Sequence, residues 1–426
     1  VLELPYGRGF LRAEAPARWR VRRLPKPAIA GGQSETAVVI DALDNPVGAP
    51  RLCEFVRPGE RTAIIVPDKT RISRTELCLP LILDRLRDAG ISDLDITIVF
   101  ARGTHSPQSA DVRKRLIGED AFSRFRTIDH DAREDSDMAL VGGTSAGTPV
   151  RLNRAVADAD KVIAMGAITH HYFAGFGGGP KLLMPGVAAL ESAVANHRLT
   201  LDENGLFNAS CRDGVIEGNP VAEDIRDAVR FFPPCVYLGV VLDPAGLIAR
   251  AFYGGILSAH DSGCQAADAM YRAPIHEAAD LTVVSAGGAP RDSTFIQAHK
   301  ALHRAGYATK EGGSIILAAA CDEGFGNGAF PDWFRHAGRN SLKQALRDGY
   351  TMNAHTAVAM MDKASRFRIL FVSEMPDEDA LLMGMKPCRS LDEAFRDAAA
   401  ELPGGADALV IENGSIYVPT MIEKEN

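Results

Sequence analysis

KVIAMGAITHHYFAGFGGG, residues 161–179, passes without interruption from an apolar run into paired histidines, two aromatic residues and a glycine cluster. An apolar run of that length suits a strand covered on both faces, as in a parallel sheet. The same pattern, a run of apolar and often β-branched residues ending in a polar or glycine-rich loop, recurs in four other stretches. They are TAIIVPDKTR (62–71), ITIVFARGTHSP (96–107), LTVVSAGGAPRD (281–292) and SIILAAACDEGFGNG (314–328). Between them lie helical stretches such as TELCLPLILDRLRDAG (75–90) and DSTFIQAHKALHRAG (292–306). Alternating strands and helices predict an α/β fold, with mainly parallel sheets flanked by helices and right-handed crossovers. Ligands of such sheets collect beyond the carboxyl ends of the strands, where each of these polar loops belongs.

The chain has 426 residues, enough for two domains that each bury a core. GILSAHDSGCQAADAMYRAPIH, from 255 onward, reads as a helix and connector, so the expected domains are 1–270 and 271–426 with the active site in the cleft between them. A hydrophobic fraction of 46% and a charged fraction of 24% fit a folded protein with a water-facing surface. No stretch reaches the roughly 20 apolar residues of a membrane span, and the first residues lack a secretory pattern, so the expected location is cytoplasmic. The net charge of −8 disfavours nucleic acid as a partner. The basic stretch RWRVRRLPKP (18–27) alternates with apolar residues and is expected as a solvated edge strand. The seven cysteines are scattered, as free thiols are.

The loops hold the chemistry. Asp68 and Arg71 in DKTR either bracket a ligand's hydroxyls and carboxylate or cap and flank a helix. His105, between a strand and a Ser-Pro turn, can move a proton near neutral pH. Gly177, Gly178 and Gly179 allow backbone N–H groups to approach an anion; Pro180 suits the first position of a helix and Lys181 its opening turn. An amine there either binds phosphate or, with a lowered pKa, bonds covalently to a cofactor. The loop has neither the spacing of a Walker A motif nor a dinucleotide fingerprint. His197 is expected at the end of the helix that begins near Lys181. Gln297 and Lys300, three apart, share a helical face, whereas His299 and His303 read as a surface pair.

These residues together resemble the nickel-dependent lactate racemase family over nearly the whole chain. The likeness rests on Asp68 and Arg71 in DKTR, His105 in GTH, His171 and Lys181 in HYFAGFGGGPK, His197 in NH, and Gln297 and Lys300 in QAHK. It implies a racemase or epimerase that inverts C2 of a small 2-hydroxy acid by reversible hydride transfer through a 2-keto acid. It further implies a nickel-pincer nucleotide covalently attached to Lys181, with Asp68 and the glycines 177–179 at the cofactor and His197 as nickel ligand. His105 and His171 would be the acid/base pair, and Arg71, Gln297 and Lys300 would hold the substrate carboxylate. Cofactor-biosynthesis enzymes would be partners in maturation. The N-terminal domain would then carry tether and histidines, and the C-terminal domain would close over the substrate.

The sequence departs from the family pattern at Arg102, where a small or apolar residue is expected, at Ser106, where an arginine is, and in GGGPK. Arg102 either meets a second carboxylate or polar tail, as in malate or a sugar acid, or faces solvent. Two rival readings of the same residues are a lysine/phosphate-site enzyme such as a pyridoxal-phosphate enzyme, and a non-catalytic carrier of the nickel nucleotide.

Overall fold

The computed structural model describes residues 1–27, 32–336, 342, 344–346 and 349–422. The chain forms two compact units, one of residues 28–200 and 210–270 and the other of 1–27, 201–209 and 271–426. Two segments from the first 270 residues thus belong to the unit built mainly on 271–426.

The 28–270 unit is organised on a six-stranded sheet in the order Ile248–Gly255, Cys235–Leu242, Lys161–Ala167, Thr62–Pro67, Ile96–Ala101, Arg126–Asp129. Only the Ile248–Gly255 strand is antiparallel to its neighbour. All six residues of TAIIVP are buried, as a central parallel strand requires. Helix Thr75–Asp88 covers one face by burying Thr75, Cys78, Leu79, Ile82 and Leu86, a stripe at helical spacing. From Thr62–Pro67 the chain proceeds outward through Ile96–Ala101 to Arg126–Asp129, then crosses to Lys161–Ala167 on the other side. The reversal places a topological switch point between Thr62–Pro67 and Lys161–Ala167, and their carboxyl ends carry the DKTR and HHYFAGFGGGPK loops.

The second unit has a six-stranded, all-parallel sheet in the order Lys386–Cys388, Arg368–Val372, Thr309–Ala318, Ala279–Ser285, Asp407–Ile411, Arg20–Arg23. The basic stretch is indeed an edge strand, and four of its five charges have carboxylate partners. Arg20 and Arg22 pair with Asp407 at 3.3 and 2.8 Å, and Arg23 and Lys26 pair with Glu412. Helix Phe295–Ala305 follows the SAGGAPRD loop. All seven cysteines are free thiols, and among the described residues no helix is long and apolar enough to cross a membrane.

Candidate active site

Three adjacent strands, ending at Pro67, Ala101 and Asp129, deliver one connected set of polar groups. Asp68 is buried, and His105 Nδ1 donates to its Oδ2 at 2.7 Å; Thr70 Oγ1 donates to Oδ1, also at 2.7 Å. Burial by itself would raise the Asp68 pKa. The hydrogen bond and charge of His105, with Arg71 and Thr70, outweigh it and hold the carboxyl below its ordinary value. Asp68 is therefore a carboxylate that accepts from His105 Nδ1–H, which leaves Nε2 as the ring nitrogen directed away from the pair. Helix Thr75–Asp88 has Arg74, not Asp68, at its N-cap, so the capping alternative does not apply.

The Lys161–Ala167 strand leads into a short hairpin of His170–His171 with Gly175–Phe176. His170 is buried and its Nε2 lies 2.6 Å from Asp268 Oδ1 on helix Ile256–Tyr271. His171, Lys181 and His197 converge on the ring of Phe173. The His171 and His197 rings lie 4.4 and 4.9 Å from its centre, both edge-on, and Lys181 Nζ lies 5.0 Å from it. A cation facing an aromatic ring gains a little, but burial, helped by the positive charge of Arg71, lowers the Lys181 pKa to about 7. At neutral pH a large share of this amine is unprotonated.

Two glycines of the cluster take the unusual dihedrals expected of them, and packing requires them as well. Gly178 has φ +79°, and a Cβ there would lie 2.5 Å from Ala167 O and 2.7 Å from the Tyr237 hydroxyl; at Gly179, φ +49°, it would lie 2.5 Å from His260. Packing within the unit therefore requires glycine at both positions. Gly177 alone has room, its nearest neighbour 3.5 Å away. A correction concerns Lys181 and His197, which do not share a helix. Pro180–Leu183 is a single turn ending before Pro185, which lacks an N–H to continue it, and His197 lies in the last turn of helix Leu190–Arg198.

Arg102 neither faces solvent nor presents itself to a ligand. Its side chain is 3% exposed, paired with Asp129 at 3.3 Å and Asp131 at 3.0 Å, and Nη1 donates to the His105 carbonyl at 2.5 Å. This corrects the expectation of Arg102 as a specificity residue. In the second unit Gln297 and Lys300 do share a face, Lys300 Nζ donating to Gln297 Oε1 at 2.6 Å. His299 and His303, however, are buried, not a surface pair, on the inner side of helix Phe295–Ala305.

Two family models match the chain. The model of the lactate racemase N-terminal domain matches residues 6–207, and that of the lactate racemase C-terminal domain matches 275–418. The chain belongs to the lactate racemase family. Family membership makes it an isomerase of the racemase class. The lactate racemase of Thermoanaerobacterium thermosaccharolyticum is 29% identical over 422 residues, 97% of each chain. That of Lactiplantibacillus plantarum is 29% identical over 428 residues, 97% of this chain and 98% of the relative. The solved apoprotein of the Thermoanaerobacterium lactate racemase superposes with a TM-score of 0.90, at 29% identity, covering 98% of this chain and 99% of that one. A Thermotoga maritima protein of 16% identity shares the fold, with a TM-score of 0.69 over 93% of this chain and all of that one.

The family's nickel nucleotide fits the residues present. A thioamide tether needs an amine that is unprotonated near neutrality, and Lys181 is one. Among the described residues no group of three or more His, Cys, Asp or Glu could hold a metal ion. Several participants were not anticipated: Phe173, the Asp268 partner of His170, and Gln108, Asp129 and Asp131 around Arg102. The acidic pair in IDHDARED, at the end of the short Arg126–Asp129 strand, was the available signal for the last of these.

Proposed function

We propose that the chain inverts C2 of a small 2-hydroxy acid through a 2-keto acid, using a nickel-pincer nucleotide attached to Lys181 and ligated by His197. The observation that carries this reading is the Asp68–His105 pair at 2.7 Å, which leaves an imidazole nitrogen ready to accept a proton at the same sheet edge as the buried amine. When bound, the nucleotide supplies the acceptor for the C2 hydride.

The chain's own residues handle proton and substrate. His105 Nε2 accepts the hydroxyl proton as the alcohol becomes a planar ketone. His171 returns a proton to that oxygen when the ketone, turned over, is reduced on its opposite face. Arg71 holds the carboxylate, which keeps the keto acid from leaving between the two half-reactions. Asp68 orients His105, and the glycines 177–179 lie beside the nucleotide. The turned-in Arg102 removes the argument for a second carboxylate, so the proposed substrate needs only the 2-hydroxy acid unit.

The deciding experiment co-produces the chain with cofactor-biosynthesis enzymes and supplies 2-deuterated hydroxy acids in ordinary water. Inversion with deuterium retained at C2, together with a Lys181 adduct by intact mass and one nickel per chain, is the expected result. Inversion with complete loss of label to solvent would falsify the hydride route. A yellow protein without nickel would favour the pyridoxal alternative, and loaded protein inert towards every hydroxy acid would favour the carrier.

A further inference from the structure

We infer that Arg102 is a positioning residue for His105, acting through the main chain of the loop that carries it. Arg102 sits at the end of the Ile96–Ala101 strand, and its guanidinium turns back under its own loop. Nη1 donates to the His105 carbonyl at 2.5 Å, Nη2 lies 3.0 Å from Asp131 and Nε 3.3 Å from Asp129. Nη1 makes a hydrogen bond to the His105 carbonyl, while Nη2 and Nε face the two carboxylates as ion-pair partners, Nε without a hydrogen bond of its own; a point charge on a flexible stem cannot span all three.

The two aspartates are themselves fixed. Gln108 donates to both oxygens of Asp129, from its backbone N at 2.9 Å and from Nε2 at 2.8 Å, while its Oε1 accepts from Lys69 N at 2.8 Å. Asp131 Oδ1 accepts from Arg133 N at 3.0 Å, and Arg133 Nη1 donates to the Thr104 carbonyl at 3.4 Å. Two consecutive carbonyls, of Thr104 and His105, are thus held by guanidinium groups. Gly103 N donates to Gly186 O at 2.9 Å, which ties the loop to the segment after Lys181.

The consequence concerns where Nε2 points. Asp68 fixes the imidazole at Nδ1, but that bond stays in register only while the His105 backbone is fixed as well. Lys69 N, bound by Gln108, belongs to the loop that carries Asp68, so the network aligns both partners of the 2.7 Å bond. Proton transfer is steep in geometry, and a displacement of about 1 Å costs on the order of 100-fold in rate. The position would then act on turnover and not on substrate affinity.

This rests on the reading of His105 as proton acceptor, and the test separates the two. In Arg102→Lys holoenzyme, kcat is expected to fall about 10- to 100-fold with KM within about twofold. In 15N-histidine-labelled apoprotein, the downfield Nδ1–H proton of His105, assigned by its loss in His105→Gln, is expected to shift or broaden. Unchanged kcat, a kcat loss with that resonance unmoved, or a KM change that alters selectivity between mono- and dicarboxylic hydroxy acids would each overturn the inference. If wild-type holoenzyme inverts no hydroxy acid, the racemase reading fails while the apoprotein resonance still decides the role of Arg102. Should Arg102→Lys not fold, Asp131→Asn, whose side chain is 41% exposed, is read by the same two criteria.

Discussion

Asp68 and His105 form a bond of 2.7 Å in which the aspartate side chain is 3% exposed and the histidine 42%. The enclosed partner is the one with the fixed charge, and the open partner is the one that must reach a substrate. Such a pair sets both the tautomer and the direction of the imidazole.

Asp68→Asn keeps the shape and removes the charge. A hydrogen bond to a charged group contributes about 1.5–3 kcal/mol, so kcat is expected to fall roughly 10- to 150-fold, with the apoprotein still folded. Steady-state rates with each enantiomer check this, and a change confined to KM would count against Asp68 as the orienting group.

Lys181 in apoprotein is expected to acylate as an amine with a midpoint near pH 7, where its pKa lies. Peptide mapping after timed exposure to an acylating reagent gives the profile. A residue that reacts only at the pH of ordinary lysines would show that the amine is not desolvated.

Gly178→Ala and Gly177→Ala should part company. A Cβ at Gly178 meets Ala167 O at 2.5 Å on a φ of +79°, so that variant is expected to lose at least about 1–3 kcal/mol of stability. Gly177→Ala has its nearest neighbour at 3.5 Å, and its melting curve is expected to stay close to wild type. Denaturant titration of both variants tests the difference, and equal losses would contradict the packing account.

Acid should destabilise the chain partly through buried imidazoles. Burial lowers His130 and His260 to about 4 and His299 to about 3, and places His303 well below its ordinary value. Unfolded, each titrates near 6.5. Between that pH and the folded value the unfolded chain binds more protons. Their contribution is therefore complete above about pH 6.5 and declines as the pH falls towards 4. Melting temperatures measured from about pH 7.5 down to about 5 should fall, and less steeply in His130→Gln. An equal slope in that variant would remove His130 from the account.

The parallel sheets were legible because burial on both faces writes itself as apolar runs, and TAIIVP and KVIAMGA are strands in the structure as read. The joining of residues 1–27 to the second unit was not, since the pairing of Arg20–Arg23 with Asp407–Ile411 is a long-range register that no local pattern records. Local spacing placed Gln297 beside Lys300 but put His299 outside, because a histidine's side of a helix depends on what packs there. Arg102 was misread for a related reason. Sequence shows a charge, whereas Asp129 and Asp131, which turn it inward, lie at the end of a neighbouring strand.

The inward guanidinium also bears on how the family can diverge. An arginine enclosed beside two aspartates takes their shared countercharge away if it alone is lost, and the penalty falls mainly on Asp129, 14% exposed against 41% for Asp131. Relatives with a small residue at this point of the loop should therefore have neutral residues in place of at least one of the two aspartates, the three positions being inherited as a block.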